Sequence, residues 1–506
     1  MRRCQCTVRL VEDRIEGQRR GILHGLAGLS YNSGSLSGTA IVRLRCRASG
    51  APHLGFHDPS ANSMRLRVRG HERAVRARSG ARRVRVADHS RGPGFLMAVS
   101  TRRSFLFLQG PASPFFPRLA DALLDDGHAI DRINFTAGDA LFWGRRRSLR
   151  FDDDFAGLES FLEGCCVSLG FTDLVLFGDH QPAHQTALLV ARKLGIRSLV
   201  FEQGYFQPHW ITLEAGGVNG HSPLPRDPKW YREVGPRIAP IAPQSFAEPT
   251  WTRAAYDVAY HLANATNPLF FSHYRDAARV GALREYAGYA RRLPMLPFAR
   301  RSADARLARL LGGRAPIFLV LMQRNDDARV RDHSPSADMP AFLEAVLESF
   351  AHHAPPTARL VIKNHPLDPG HTPYARLIQT QARRWAVHTR VQFHEDCDLR
   401  MLYEQAQGVV TVNSSAALTA LAHVRPTIAL GRAPYNIPGL TFQDGLDEFW
   451  CHAAPPETQL FRYFRSVATA CSQVNGGYFS SAGIRLAVAN CAAVLSQERL
   501  PLEEFL

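Results

Sequence analysis

Residues 172–204 read TDLVLFGDHQPAHQTALLVARKLGIRSLVFEQG, and this stretch decides the fold. A short apolar run at 174–177 is followed by a helix-length amphipathic stretch at 182–194 and by a second apolar run at 199–201. A strand, a helix and a strand in this order predict a βαβ unit, in which both strands run parallel in one sheet.

The same alternation extends in both directions along the chain. Upstream, apolar runs at 105–108 and 130–135 alternate with helix-length stretches at 115–124 and 155–169. Downstream, a second series has predicted strands at 317–322, 360–363, 391–393, 409–412 and 427–430, with predicted helices near 340–352, 373–386, 398–406 and 415–423. We therefore predict an α/β fold with two doubly wound, Rossmann-like domains that face each other across a cleft, and C-terminal helices that pack back over the pair.

Composition divides the chain into segments. Residues 1–96 mix Arg, Gly and Ser without sustained periodicity, so we expect a poorly ordered, Arg-rich extension that is translated from upstream of a true start at Met97. The alternative is a basic arm that binds anionic lipid or nucleic acid. The other predicted segments are the first Rossmann-like domain at 97–248, a helical connecting segment at 249–312, the second Rossmann-like domain at 313–450 and C-terminal helices at 451–506.

The charge distribution argues against a nucleic-acid-binding protein. The net charge is +16, but residues 1–100 hold 19 Arg, no Lys and 6 acidic residues, a net +13 that leaves +3 for residues 101–506. A nucleic-acid-binding protein is expected to carry its basic surface on the folded domain. No apolar run reaches the ~18 residues of a spanning helix, and the N-terminal residues lack the apolar core of a secretory signal. The nine Cys show no paired-ligand spacing, which favours a reducing, cytoplasmic setting.

Polar residues follow the predicted strands at the edge where a cleft would lie. In doubly wound sheets, ligands bind beyond the carboxyl ends of the strands. The five polar strand ends are Gln109-Gly110-Pro111, Gly178-Asp179-His180, Glu202-Gln203-Gly204, Lys363-Asn364-His365-Pro366 and Asn413-Ser414-Ser415.

Two of these strand ends, both in the second domain, are candidates for phosphate binding. Asn413, Ser414 and Ser415 precede a predicted helix, where hydroxyls and unpaired backbone N–H groups favour an anion; the alternative is an ordinary Ser N-cap. His365, restricted by Pro366, is a candidate hydrogen-bond donor to a phosphate; the alternative is a structural histidine.

Lys363 lies near His365 on the chain and has a charge suited to the same phosphate. Together the two turns predict a nucleotide-phosphate site. No GxxxxGK[ST] motif and no GxGxxG motif after a strand is present, so ATPase and dinucleotide-binding functions lack support.

The first domain offers carboxylates. Glu202 ends a predicted strand, and Gly204 would let the chain turn and present the carboxylate to the cleft as a general base or a nucleophile. Asp179 is a second candidate, with the N-cap of the following helix as its alternative function. His180 and His184 lie four residues apart, but no third ligand is evident, so we expect neither a metal nor a cofactor.

The sequence also resembles a known family, the capsular polysaccharide proteins of the KpsS/LipB type from Gram-negative bacteria. The resemblance spans roughly 103–450, and its motifs are LFLQGPASPFFPRLADAL, INFTAGDALFW, FEQGYFQPHWITLEAGGVNGHSPLP, LMQRNDD with Gln323, KNHPLDPG, TVNSSAALTALAHVRPTIALG and YNIPGLTFQDGLDEFW. The resemblance implies a GT-B glycosyltransferase that uses CMP-β-Kdo and starts an oligo-Kdo linker on a phosphatidylglycerol lipid, a linker needed for capsule export.

The resemblance also implies roles for particular residues. In related CMP-sugar transferases, an acidic motif supplies the catalytic carboxylate while a His-Pro motif and a Ser motif hold CMP. These motifs fall on Glu202 in the first, acceptor-side domain, on His365 and Pro366, and on Ser414 or Ser415.

The sequence departs from the family motif at two positions. Gln203 replaces the second acidic residue, and Gln207 replaces the usual basic residue. The family's β-linked product and β-linked donor imply a retaining reaction, in which Glu202 is either base or nucleophile. Because no metal ligand set is evident, we also expect the reaction to be metal-independent. The departures keep open a non-catalytic export or scaffold protein that binds lipid or polymer.

The lipid acceptor implies contact with a membrane. We expect the chain to lie peripherally on the cytoplasmic face of the inner membrane, through an amphipathic or basic surface, together with other capsule assembly and export proteins.

Overall fold

The structure, a computed structural model, describes residues 6–11, 41–46, 102–273, 281–325 and 335–506. Of the N-terminal extension it describes one antiparallel pair of strands, β1 (Cys6–Val11) and β2 (Ile41–Cys46), where the sequence predicts none. The rest of segment 1–96, and with it the expectation of poor order, lies outside the described residues.

The remaining strands alternate with helices. In chain order they are β3 (Ser104–Phe107), β4 (Ala129–Asn134), β5 (Leu149–Arg150), β6 (Asp173–Phe177), β7 (Arg197–Gln203), β8 (Trp210–Ala215), β9 (Ile317–Leu321), β10 (Arg359–Lys363), β11 (Val391–His394), β12 (Gly408–Thr411), β13 (Thr427–Ala429) and β14 (Gln473–Asn475). Strands β3, β4, β6, β7 and β9 to β13 coincide with predicted strands within two residues at each end. The short strand β5 and the strands β8 and β14 are not predicted.

Six of the seven individually predicted helices match the structure within two residues at each end, and the seventh, 155–169, begins three residues later, at Leu158. Helices Ala137–Trp143 and Pro228–Val234 are not predicted. The helices of the described residues follow in chain order. They are Phe115–Asp125, Ala137–Trp143, Leu158–Leu169, Pro182–Leu194, Pro228–Val234, Thr250–Asn264, Asn267–Phe270, Ala282–Arg292, Leu296–Leu311, Met339–His353, Tyr374–Arg384, Leu399–Gln405, Ala416–Ala422, Leu446–His452, Thr458–Cys471 and Ser481–Leu495. The helix in the deciding stretch begins at Pro182, whose fixed φ suits a first turn, and ends before Gly195, which adopts a left-handed φ of +68°.

Both large sheets have the Rossmann strand order. In the first sheet, β5-β4-β3-β6-β7 run parallel, and β8 and β14 extend the edge antiparallel to their neighbours. The second sheet, β11-β10-β9-β12-β13, is parallel throughout. The predicted fold class is therefore confirmed.

The C-terminal segment contributes more than helices. Strand β14 pairs with β8 of the first sheet, and helix Ser481–Leu495 packs on the core that contains Phe105 and Phe115. Between the two sheets, Tyr205 and Tyr231 share one apolar cluster with Leu418 and Phe464. The segment 451–506, predicted as helices alone, thus also completes the first sheet with a strand.

Candidate functional site

The switch point of each sheet lies at its first strand, where the chain continues to opposite sides. Strand β3 lies between β4 and β6, and strand β9 lies between β10 and β12. Ligands of open α/β sheets bind outside the carboxyl ends of strands at such points. The polar strand ends predicted from sequence lie at these edges.

Gln109, which follows β3, lies inside the first domain. Its amide Nε2 donates to Oδ2 of Asp139 at 3.1 Å, and Asp139 forms a buried ion pair with Arg132 at 3.2 Å. A Cβ on Gly110 would overlap the ring of Phe116, so only glycine permits this close approach. The structure therefore gives these two residues of the predicted cleft loops roles in interior packing and hydrogen bonding.

Glu202 lies near the end of β7 and is only 4% exposed. Its Oε1 accepts a hydrogen bond of 2.8 Å from the backbone N–H of Gln203. Its Oε2 lies toward Gly178, 3.6 Å from the point that a Cβ there would occupy. Gly178 has a φ of +72°, so glycine both permits the turn after β6 and leaves room for the carboxylate. Glu202 is thus buried in the first domain, beside the turn that carries Asp179, rather than openly presented to solvent.

Gly204 does not form the sharp turn that is predicted from its position after Glu202. A Cβ at Gly204 would overlap the backbone carbonyl of Trp210, because β8 returns very close to β7. The glycine therefore permits close approach of two backbones and does not require a left-handed φ.

Asp179 binds a loop rather than capping a helix. Its Oδ2 accepts hydrogen bonds from the backbone N–H of Val218 at 3.1 Å and from Nδ1 of His221 at 3.0 Å. The N-cap of the following helix is Gln181, without a side-chain cap. The N-cap alternative for Asp179 is therefore wrong, and the carboxylate holds the loop after β8 across the end of β6.

His184 supports the same turn. Its Nδ1 donates to the carbonyl of Gly178 at 2.8 Å, and burial lowers the pKa of His184 to about 4, so the ring is neutral at physiological pH. Over the described ranges, no group of three or more His, Cys, Asp or Glu side chains is arranged to hold a metal.

Sequence reasoning missed a third carboxyl group, Glu214 of β8. It is 2% exposed, and its oxygens accept hydrogen bonds from Ser222 Oγ at 2.8 Å and from Tyr205 OH at 3.0 Å. Burial raises the pKa of Glu214 to about 7, although the hydrogen bonds from Ser222 and Tyr205 oppose the shift. A single Glu inside the apolar run WITLEA was the available signal, because a carboxyl group in a buried strand is expected to have a raised pKa.

In the second domain, the strand end after β10 holds His365 in one orientation. Its Nδ1 accepts a hydrogen bond from the backbone N–H of Leu367 at 3.1 Å. A ring nitrogen that accepts carries no proton, so the neutral imidazole is protonated on Nε2 and has its donor there. Neighbouring Lys363 is buried, and its Nζ lies 3.2 Å from Oδ1 of Asp396 and donates to the carbonyl of Asn364. The exposed Pro366 follows His365.

Helix Ala282–Arg292 of the connecting segment clamps this loop, which sequence reasoning did not anticipate. The guanidinium of Arg292 donates to the carbonyls of Pro366 at 3.1 Å and Asp368 at 2.6 Å and forms an ion pair with Glu395 at 2.9 Å. A Cβ on Gly288 would overlap the carbonyl of Pro369. These contacts arise from tertiary packing, and no local motif marks them.

Gln323 and Asn413 join the ends of β9 and β12. The Gln323 side chain donates to Oδ1 of Asn413 at 2.9 Å and accepts from its backbone N–H at 3.1 Å. Next to them, Ser414 Oγ accepts from the backbone N–H of Ala416 at 3.3 Å, and the Ser414 carbonyl accepts from Tyr435 OH at 2.6 Å. Gln323 and Asn413 are buried, whereas Ser414 and Ser415 are partly exposed.

One cavity of about 380 Å³ lies where the two domains meet. From the first domain it is lined by the loop that follows Glu202, and from the second by Ser415 and the helix after it. The lining residues are Tyr205, Phe206, Gln207, Pro208, His209, Trp210, Pro243, Ser415, Ala416, Leu418, Thr419, Ala422, Phe461 and Arg465. The structure thus brings Ser415 together with the chain immediately after Glu202 and Gly204.

The sequence comparisons identify the family. Residues 172–479 match the family of capsule polysaccharide biosynthesis proteins, and the chain belongs to that family. The resemblance found from the motifs is therefore confirmed.

The chain matches two relatives over most of their own length. The chain is 32% identical to the capsule polysaccharide export protein KpsS of Escherichia coli over 387 residues, which cover 76% of this chain and 99% of that protein. It is also 32% identical to the capsule polysaccharide modification protein LipB of Neisseria meningitidis serogroup B over 397 residues, 76% of this chain and 93% of that protein.

Among solved structures, the β-Kdo 2,7 transferase of Thermosulfurimonas dismutans KpsC is 12% identical and aligns with a TM-score of 0.39, covering 78% of this chain and 100% of that one. The strand orders above, and not this likeness, define the fold. No helix in the described part of the chain combines the length and the apolar character needed to cross a bilayer.

The close approach at Gly204 predicts a large cost for an added methyl group. We expect Gly204→Ala to destabilise the protein by about 1–3 kcal/mol, because the methyl group must displace the Trp210 backbone. Gly164→Ala is the matched control: it lies within helix Leu158–Leu169 with no heavy atom within 4 Å of its Cβ position, so the same change should stabilise by about 0.5–1 kcal/mol. Thermal unfolding of the two variants and wild type measures both effects, and equal shifts would contradict the assignment.

The raised pKa of Glu214 predicts a pH-dependent stability. Between the ordinary glutamate pKa of 4.5 and the folded-state pKa of about 7, the folded state holds a proton that the unfolded state has released. The free energy of unfolding should therefore fall as pH rises through this window, by roughly 3 kcal/mol in total. Thermal midpoints at pH 5 and pH 8 should show a smaller fall for Glu214→Gln than for wild type. An equal fall in both proteins would show that Glu214 is ionised in the folded state.

Proposed function

We propose that this chain is a glycosyltransferase of capsular polysaccharide biosynthesis. In this proposal it transfers Kdo from CMP-β-Kdo to a phosphatidylglycerol-type lipid and so starts the poly-Kdo linker needed for capsule export. The observation that carries the proposal is the cavity between the domains, because it brings the loop after Glu202 against the Ser turn of the second sheet. Family membership supports the capsule pathway.

The second domain would bind the nucleotide. His365, with its Nε2–H oriented by the Leu367 N–H, and the Ser414 and Ser415 hydroxyls are suited to the phosphate of CMP. Departure of CMP requires stabilisation of the charge that develops on this phosphate. The proposed site also includes Pro366, which restricts the backbone of His365.

Three buried residues would position the nucleotide-binding groups. Lys363 is paired with Asp396, so its charge acts within a hydrogen-bonded network. Gln323 and Asn413 hold the ends of β9 and β12 together beneath the Ser turn. Because these side chains are buried and hydrogen-bonded, we assign them the role of fixing the phosphate-binding turns.

The first domain would supply the carboxylates. In a retaining reaction with Glu202 as nucleophile, its carboxylate forms a bond to the anomeric carbon of Kdo while the bond to the CMP oxygen breaks, and CMP leaves with the electron pair. The acceptor hydroxyl then attacks the same carbon, displaces Glu202 and gives its proton to a base, for which Asp179 is the candidate. With Glu202 as base instead, its carboxylate takes the hydroxyl proton directly. Neither route requires a metal.

The site would operate at a membrane. A phospholipid acceptor implies peripheral contact with the inner face of the inner membrane, in the company of other capsule assembly and export proteins. Glu202, shielded from water, is suited to a reaction in which hydrolysis of the donor competes with transfer.

A second candidate is a non-catalytic scaffold that binds lipid or polymer for export. It is favoured by Gln203 and Gln207, which replace the acidic and basic residues of the catalytic motif, and by the Glu202 Oε1 hydrogen bond to its own strand. A scaffold binds lipid or glycan whether or not Glu202 is present, so the two functions make opposite predictions.

Transfer is tested by incubating the purified protein with CMP-Kdo and phosphatidylglycerol and measuring released CMP and glycolipid product by mass spectrometry. Wild type should release CMP, and Glu202→Gln should lower the turnover rate at least about a hundredfold because the reacting carboxylate is lost. Glu233→Gln, an exposed change in helix Pro228–Val234, is the matched control and should leave turnover unchanged. No release by wild type, or full release by Glu202→Gln, would overturn the proposal. Binding that persists without release would support the scaffold.

A further inference from the structure

The connecting segment 249–312 carries a concentration of exposed apolar side chains. Among residues whose exposure the structure describes, eight large apolar side chains are at least two-thirds exposed, and six of them lie in this segment. The six are Trp251, Leu262, Leu269, Leu283, Met295 and Phe298, with exposures between 67% and 87%. A concentration of large exposed apolar side chains is characteristic of an interaction site. We call these six side chains the apolar row.

The first helix of the segment separates a packed face from an apolar face. Tyr256 and Tyr260 contact Phe142 of the first domain, and Asn264 accepts a hydrogen bond from the N–H of Gly138. At 100° per residue, Trp251 and Leu262 fall on the opposite side of helix Thr250–Asn264. The apolar face therefore points away from the domain that anchors the helix.

The second helix of the segment repeats this arrangement. Its Gly288 and Arg292 pack on the loop that follows His365, whereas Leu283, at 87% exposure, lies on the opposite side. The helix that holds the candidate nucleotide-binding loop thus presents an apolar side chain outward.

The charge of the segment identifies the chemistry of its partner. Segment 249–312 contains ten Arg and four acidic residues, a net charge of +6, whereas residues 101–506 as a whole carry only +3. The remainder of 101–506 therefore carries −3, and the positive charge is concentrated in the segment that bears the apolar row. Apolar side chains interleaved with Arg are typical of surfaces that bind anionic bilayers.

The same charge disfavours two other occupants. The N-terminal segment 1–100 carries +13, so it would be repelled by a surface of +6. A second copy of the chain would bring +6 against +6 in a symmetric contact. An anionic partner avoids both penalties.

We propose that the apolar row inserts into an anionic phospholipid bilayer, with exposed arginines of the same segment at the headgroups. This docks the molecule through the connecting helices, which contact both the first domain and the His365 loop. The proposal rests on the proposed function in one respect, since it names the surface that would bring a lipid acceptor to the site. Docking itself does not depend on catalysis.

Co-sedimentation of the full chain with vesicles tests the docking surface. Wild type should bind phosphatidylcholine vesicles that contain phosphatidylglycerol more tightly than pure phosphatidylcholine vesicles, and added salt should weaken binding. Trp251→Glu/Leu262→Glu should weaken binding at least about tenfold, because two inserted side chains become charged. The matched control is Val167→Glu/Leu189→Glu, which alters exposed apolar residues on two helices of the first domain and should bind as wild type.

The proposal would be overturned if wild type did not bind the vesicles, if the Trp251→Glu/Leu262→Glu variant bound as tightly as wild type, or if the control variant lost as much binding as that variant. A change in oligomeric state caused by Trp251→Glu/Leu262→Glu would instead assign the apolar row to a contact between copies of the chain, and would also overturn it. A CMP-release assay with detergent-dispersed lipid separates this proposal from the proposed function: failure of release in wild type, with vesicle binding intact, counts against catalysis alone.

Discussion

Buried polar side chains at the ends of parallel strands must be hydrogen-bonded, and this constraint shapes the candidate site. A buried donor or acceptor without a partner costs about 1–3 kcal/mol, so each strand end recruits partners from its neighbours. Gln323 is hydrogen-bonded to the side-chain oxygen and the backbone N–H of Asn413. Asp179 accepts hydrogen bonds from Val218 and His221, and Lys363 is paired with Asp396. The bonds of Lys363 and of Asn413 fix the turns after β10 and β12, which contain the less buried His365 and Ser415.

The candidate site residues of the two domains differ in chemistry. The first domain contains three buried carboxyl groups at or near its strand ends, those of Asp179, Glu202 and Glu214. Burial raises the pKa of Glu214. The second domain holds the hydroxyls of Ser414 and Ser415 and the imidazole of His365 at its strand ends. The cavity between the domains is lined by the loop after Glu202 and by Ser415. Arg292 of the connecting segment holds the loop that follows His365 in position.

Local patterns predicted most of the fold, because parallel strands buried on both faces give unbroken apolar runs and their connecting helices give amphipathic ones. They failed where partners lie far apart in sequence: β14 is three residues long and pairs with β8 more than 250 residues upstream. The site shows the same limit. The predicted strand ends placed Asp179 and Glu202 at one edge of the first sheet, but the burial of Gln109, the close approach at Gly204 and the clamp by Arg292 depend on tertiary contacts. Helix Ala137–Trp143 is an exception, because it is not predicted although its capping box, Thr136 with Asp139, is a local sequence signal.

The central claim is that the second domain binds the nucleotide while the first supplies the reacting carboxylate. Isothermal titration calorimetry of CMP against wild type, His365→Ala and Glu202→Gln tests it most directly. Loss of a hydrogen bond to a charged phosphate should weaken CMP binding to His365→Ala by about tenfold or more. Glu202→Gln should bind CMP within about twofold of wild type, since the carboxylate acts on the sugar. Unchanged affinity in His365→Ala, or an equal loss in Glu202→Gln, would contradict this division of roles.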